Sequence, residues 1–253
     1  MPELERYVLA LLGDLDATLR KAVEEFDFNT YVRALSDFAN EDLSAFFFDI
    51  RKDRLYCDAP DDPKRRAYRT VLDTLFHALV RYAAPVLVFT TEEVWGTRYP
   101  DGGSVHLLEW PDLSLLRHPG LRAGVPLGSS APEGSRTPDQ VRGDEFRERW
   151  ARVRALRERV TEAIEPLRRD KVVRSGLEAE VTVPADAVPD GFSDDDLAEL
   201  FISGPVTRGA TLAVARTDNH KCGRCWRLLP EVPEDGALCG RCAEVVQAMD
   251  QPA

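Results

Sequence analysis

Two short strings near the end of the sequence constrain the chain more than any other feature: Cys222-Gly223-Arg224-Cys225 and Cys239-Gly240-Arg241-Cys242, with thirteen residues between the pairs. A Cys-x-x-Cys turn lets two sulfurs reach the same ion, and two such turns at this spacing supply the ligands of a four-thiolate zinc site. Gly223 and Gly240 occupy matching places, where a residue free to take positive φ is useful. The alternative is a pair of disulfides, which suits a secreted chain, and nothing else here has a secreted layout. Four thiolates complete a tetrahedron and leave no open position, so the zinc is expected to be structural. His220, two residues before Cys222, is the competing ligand.

With 253 residues, 43% apolar and 30% charged, the chain reads as a globular protein of two or three units. No apolar run approaches the roughly 20 residues of a membrane span, so no membrane partner is expected. Reduced cysteines and the plain N-terminus point to the cytoplasm. The fifth cysteine, Cys57, reads as a small buried hydrophobe. A net charge of −11 argues against an indiscriminate polyanion binder. Residues 146–174 depart from that balance, with ten Lys/Arg against five acids. Such a stretch fits either a nucleic-acid face or a solvated helix.

The expected fold is mainly α: a helical bundle followed by a small α+β unit that ends in the four-cysteine finger. Apolar residues at three- and four-residue steps from Leu4 to Phe26 predict one long helix over 3–26. A second helical region runs from Tyr31 to near Tyr56, with Asp27 or Asn29 as its cap. Asp61-Asp62-Pro63 opens a third helix that Pro85 stops. Thr91 caps a short fourth through Trp95, and 104–107 reads as extended. Residues 1–111 make the bundle, and 112–143, rich in proline, glycine and serine, read as a flexible linker or insertion. Residues 144–217 combine a basic helix with a small α+β junction. Ala179 to Val183 pairs there with Thr211 to Ala215, and Ser193 with Asp196 opens a helix through Phe201. Residues 218–253 are the finger and tail.

Catalytic constellations are scarce. The four histidines (77, 106, 118, 220) lie in unrelated contexts, and no glycine loop is built to cradle phosphate, so the chain reads as a binding module. Met1-Pro2-Glu3-Leu4 together with a four-cysteine finger resembles the formamidopyrimidine-DNA glycosylases, whose nucleophile is an N-terminal proline. Those enzymes begin with a β-sandwich, whereas Pro2 here opens a periodic helix.

A more specific signature lies in the bundle. Leu43-Ser44-Ala45-Phe46-Phe47-Phe48-Asp49-Ile50-Arg51-Lys52-Asp53-Arg54-Leu55-Tyr56 resembles the LSxFYxDIxKDRLY segment of bacterial isoleucyl-tRNA synthetases. Similar segments follow at Pro63-Lys64-Arg65-Arg66, Ala84-Pro85, Phe89 to Trp95 and Ser104 to Leu107, and the finger itself matches. That finger separates the isoleucyl from the valyl type. The resemblance covers nearly the whole chain except about 112–143. It implies the C-terminal, anticodon-binding part of a class I isoleucine–tRNA ligase, whose bundle lies along the anticodon stem of tRNA(Ile). Lys52, Arg54, Arg168, Arg169, Lys171, Arg174, Arg224, Trp226, Arg227 and Arg241 are the expected RNA contacts. Cations would meet phosphates, and planar groups would stack on loop bases. Asp49 and Asp53 are expected to hold helices together, and Trp226 has packing in the knuckle core as its alternative.

The resemblance also implies what stands elsewhere. HIGH-type and KMSKS-type motifs do not occur in this sequence, so ATP would belong to a separate catalytic part, which becomes the expected partner. The chain is expected to be a monomer, inactive by itself. A free-standing homologue serving as a protein-interaction module is the alternative.

Overall fold

The computed structural model describes residues 1–113, 116 and 138–249, with the side chains of 138–141 left aside. Most of the 112–143 segment therefore lies outside the described residues. Two compact units are present, one made of Met1–Asp49 and Pro63–Phe146, the other of Ile50–Asp62 and Arg147–Ala253. No described helix is long and apolar enough to cross a membrane.

The first unit is helical. α1 (Glu3–Glu24) starts directly after Pro2, with Glu3 and Glu5 in its first turn, where the helix dipole favours acids. Leu4, Tyr7, Val8, Leu12, Leu15 and Leu19 form its buried stripe. The periodic pattern overreaches the helix by two residues. Phe26 takes a left-handed φ of 57°, and the Phe26 and Asp27 amides bond back to Val23 and Ala22, a Schellman stop. A helix opening at Pro2 is incompatible with the β-sandwich of the glycosylase reading. Asp27 caps α2 (Phe28–Asp37) by accepting from Thr30 N at 3.0 Å.

The second helical region is continuous but not uniform. Residues Phe38–Phe48 wind as a π-helix before α3 (Asp49–Cys57) resumes α geometry. Phe38, Leu43, Phe46, Phe47 and Ile50 are all buried, and the i→i+5 winding brings the five-residue step from Phe38 to Leu43 round to nearly the same side. α4 (Pro63–Ala83) starts on its proline and stops before Ala84-Pro85, as the sequence requires. α5 (Val88–Arg98) begins earlier than the threonine cap implies. Thr91 lies inside it and bonds back to Leu87 O at 3.0 Å. Residues 104–107 are a single 3-10 turn capped by Ser104 rather than an extended segment.

A polar network sits in this unit's core. Asp16, 2% exposed, accepts from Arg20 Nε at 2.9 and 3.0 Å and from the Tyr82 hydroxyl at 2.7 Å. The Tyr31 hydroxyl donates to Tyr82 O at 2.6 Å, and Trp110 packs on both tyrosine rings. Burial pushes the Tyr31 phenol up to about 12 and raises Tyr82 further, with the Asp16 charge adding to the second shift.

In the second unit β1 (Ala179–Pro184) is the centre of a three-stranded sheet of order β2-β1-β3. β3 (Ala213–Arg216) pairs antiparallel with it, Glu180 opposite Ala215. β2 (Val206–Gly209) is parallel and was not legible in the sequence, being four residues long with one buried. Ala179, Val181 and Val183 alternate inward. α7 (Asp194–Phe201) carries the full capping box between Ser193 and Asp196. The basic helix α6 (Pro138–Arg169) buries Trp150, Val153, Leu156, Val160 and Ile164, and Trp150 packs edge-on against Phe192 at 5.2 Å. α8 (Gly240–Met249) closes the described chain.

Candidate functional site

Two places in the second unit concentrate chemistry. At the first, β4 (His220–Lys221) and β5 (Leu228–Leu229) pair antiparallel and present the turn of Cys222 and Cys225, while Cys239 and Cys242 flank the start of α8. All four cysteines are buried and free, and their sulfurs lie within 4.8 Å of one another. Cys225 Sγ and Cys239 Sγ are 3.8 Å apart. Four sulfurs about 2.3 Å from one ion in a tetrahedron stand about 3.8 Å from each other, so the donor set fits a single metal ion. His220 turns to Asp235, 3.6 Å from its Nδ1, and is not one of the cluster.

Burial works against ionising these thiols and raises those of Cys225, Cys239 and Cys242. At Cys222 burial is outweighed by the backbone amides of Cys225, Cys239 and Arg224, which bring its thiol down to about 6. A bound cation would favour the thiolate form of all four.

The glycines act differently from the expectation of positive φ. Among the described glycines that conformation occurs at Gly103, Gly191 and Gly236, and in the knuckle it is also taken by Trp226, at 64°. Gly223 is needed because a Cβ there would collide with the Gly236 carbonyl. Gly240 opens α8 with nothing near it. The core of the knuckles consists of the four cysteines, Cys57 and Val232, with Leu229 and Ala237 against them. Trp226 is outside it, 62% exposed, with Lys221 Nζ 5.4 Å from its ring centre. Cys57 is 7% exposed, and burial, with the Asp53 charge behind it, pushes its thiol up to about 12.

Around the knuckles runs an ionic network that the sequence does not disclose as a whole. Arg241 donates to Asp53 at 2.7 and 3.0 Å and to Asp58 at 2.9 Å. Arg54 binds Glu199 through two nitrogens at 3.1 and 2.6 Å, and Arg51 binds the same carboxylate. Arg224 donates to Cys57 O. Burial raises the Asp58 carboxyl, and Arg54 and Arg241 pull it back. Arg54 and Arg241, expected among the RNA contacts, are thus engaged within the unit. Glu199, 145 residues from Arg54, had no local signal that could have found it.

The second place is the end of α6. Lys171 takes a left-handed φ of 59° and closes the helix as a Schellman stop, with the Lys171 amide on Arg168 O and the Val172 amide on Leu167 O. The reversal gathers Arg168, Arg169, Lys171 and Arg174 around one open concavity of about 570 Å³, floored by Val173. Glu165 joins them and pairs with Arg168 at 2.8 Å. All four cations are exposed. Of the expected contacts, these four are brought together, whereas Lys52 and Arg227 belong to neither group. Lys52 is exposed and Arg227 half-buried.

Comparison with known proteins bears on both places. Residues 5–183 match the family described as the anticodon-binding domain of tRNA ligase. The isoleucine–tRNA ligase of Zymomonas mobilis is 54% identical over 97% of this chain and 25% of its own length. That of Gluconobacter oxydans is 41% identical over 98% of this chain, and that of Agrobacterium fabrum 39% identical over 93%. The chain spans about a quarter of the length of these curated relatives. The chain belongs to the family of anticodon-binding domains of tRNA ligases.

Proposed function

We propose that this chain recognises the anticodon stem-loop of tRNA(Ile) as part of a cytoplasmic isoleucine–tRNA ligase, with zinc holding its finger. The observation that carries the reading is the four-cation concavity at the end of α6, within a chain whose family is anticodon-binding. Four cations converging on one open hollow suit a phosphate backbone, which demands charge rather than shape. Trp226, exposed at the knuckle turn beside Arg224 and Arg227, offers a ring on which an unstacked base can sit. Lys52 adds a cation. Arg241 serves by holding the second knuckle to the 53–58 segment, and Arg54 by tying that segment to Glu199. The four cysteines hold the zinc, which supplies no reactive position and acts by fixing the turn that carries Trp226. Activation of isoleucine with ATP falls to the catalytic part of the ligase.

The test is binding of the purified chain to a tRNA(Ile) transcript and to a tRNA with another anticodon. Tighter binding of tRNA(Ile), lost with Trp226→Ala and weakened with Arg168→Ala/Arg169→Ala, is the expected result. Equal affinity for both transcripts, or no binding at about 0.1 M salt, would sink the reading.

A further inference from the structure

We propose that Arg224 and Arg241 form a clasp through which the metal site and the 53–58 segment hold one another in place. Arg224 belongs to the first knuckle but hydrogen bonds to Cys242 Sγ of the second, at 3.7 Å. Arg241 belongs to the second knuckle and holds it to the 53–58 segment through two carboxylates. Each guanidinium grips the same stretch of chain: Arg224 takes Cys57 O, and Arg241 takes the Asp53 and Asp58 carboxylates. Arg224 thus ties a sulfur of the opposite knuckle to residues 53–58, and Arg241 ties the start of the second knuckle's helix to the same residues.

Charge explains the arrangement. Four thiolates around a divalent ion leave an excess of two negative charges, which Arg224 meets at Cys242 Sγ, while Arg241 is matched by the Asp53 and Asp58 carboxylates. The Arg241 side chain is 24% exposed and Asp58 2%, so these charges meet where water screens them weakly. Arginine suits the task better than lysine, because its planar fork can serve two partners at once, a sulfur and a carbonyl for Arg224 and two carboxylates for Arg241.

Linkage then follows. Whatever filling the sulfur site adds to the hold on residues 53–58, seating that segment adds to metal affinity. Asp53 and Asp58, for which no contact with a sulfur of the four is needed, become positioning residues for the metal. The segment concerned is Asp53-Arg54-Leu55-Tyr56-Cys57-Asp58, so the sequence motif shared with the synthetases acquires a role as the seat of the knuckles.

Two measurements on the purified full chain test this: zinc(II) affinity by competition with a chromophoric chelator, and hydrogen exchange of peptides covering 50–62 with and without chelator. Asp53→Asn should lower zinc affinity about tenfold, in the range found for partners just outside a metal's ligands. Arg241→Gln should lower it at least as far. Arg241→Lys should restore part of the affinity while exchange in 50–62 stays raised. Removing zinc from the parent should raise exchange across 50–62. Parent-like zinc affinity in Asp53→Asn, or unchanged exchange in 50–62 after zinc removal, would overturn the clasp. Should Arg241→Gln fail to fold, Asp53→Asn alone distinguishes the outcomes, since its side chain lies at the edge of the network.

Discussion

Lys171 is placed where stability and binding should pull apart. A residue with a Cβ in the left-handed region carries about 1–2 kcal/mol of steric cost, and Lys171 sits there at a φ of 59°. Lys171→Gly removes that cost and adds back roughly 0.4–1 kcal/mol through the greater freedom of the unfolded chain. The net is a gain of about 0.5–1 kcal/mol, or roughly 2–5 °C in the melting of the second unit. Lys171 also lines the basic concavity, and a lost phosphate contact removes about 0.7–0.9 from the slope of log affinity against log salt. At about 0.1 M salt that amounts to roughly a five- to eightfold loss in affinity for tRNA(Ile). Lys171→Ala should lose the same affinity without the gain in stability, because alanine keeps the strain. Calorimetry and a salt titration of binding, run on parent and both variants, decide the matter. A glycine variant that binds with an unchanged salt slope would remove Lys171 from the RNA face. One that melts lower than the alanine variant would refute the strain argument.

Other residues make equally direct tests. Gly223→Ala should cost about 1–3 kcal/mol in the second unit and loosen the metal, because its Cβ meets the Gly236 carbonyl, whereas Gly240→Ala, with open space around it, should be tolerated. Tyr82→Phe should cost about 2 kcal/mol by urea unfolding of the first unit, since it takes away a buried hydroxyl that donates to a carboxylate at 2.7 Å. Alkaline pH should weaken the same unit. The Tyr31 phenol is raised by burial to about 12 in the fold, above its ordinary value near 10. Its stabilising contribution is therefore fully present below pH ~10 and is lost as pH rises through about 12. Urea unfolding at about pH 9 and about pH 11.5 should show the drop, and Tyr31→Phe should reduce it, leaving the part that the likewise raised Tyr82 contributes.

What the sequence discloses here follows from how far apart the interacting residues lie. The helices of the first unit announce themselves through periodic apolar stripes, and their ends through Asp27, Pro63 and Pro85, because each signal acts within four residues. The sulfur site is legible for the same reason, its ligands arriving in two local pairs. Errors appear where a local rule meets a competing one. Thr91 resembles a cap yet lies inside α5, because Leu87, ahead of it, takes the cap position. Phe26 continues the apolar period yet stops the helix with a positive φ. The π winding of 38–48 was hidden because Leu43 is the one large apolar residue between Phe38 and Phe46, too few to disclose a period, and three consecutive phenylalanines then fit any phase.

The site was half legible for a different reason. Sequence can show that Arg54, Arg224 and Arg241 are cations, but not which carboxylates they meet, and the answer decides what they do. A guanidinium already holding Asp53 and Asp58 gains little by meeting a phosphate, since it would first have to give up one buried carboxylate, Asp58, and one partly buried one, Asp53. Among the described residues the arginines at the end of α6 have no such buried partner, and Glu165, which pairs with Arg168, is about half exposed and separates from it at little cost. The two groups of cations, similar in composition, are thus divided by burial into one that builds the unit and one that stays exposed to solvent.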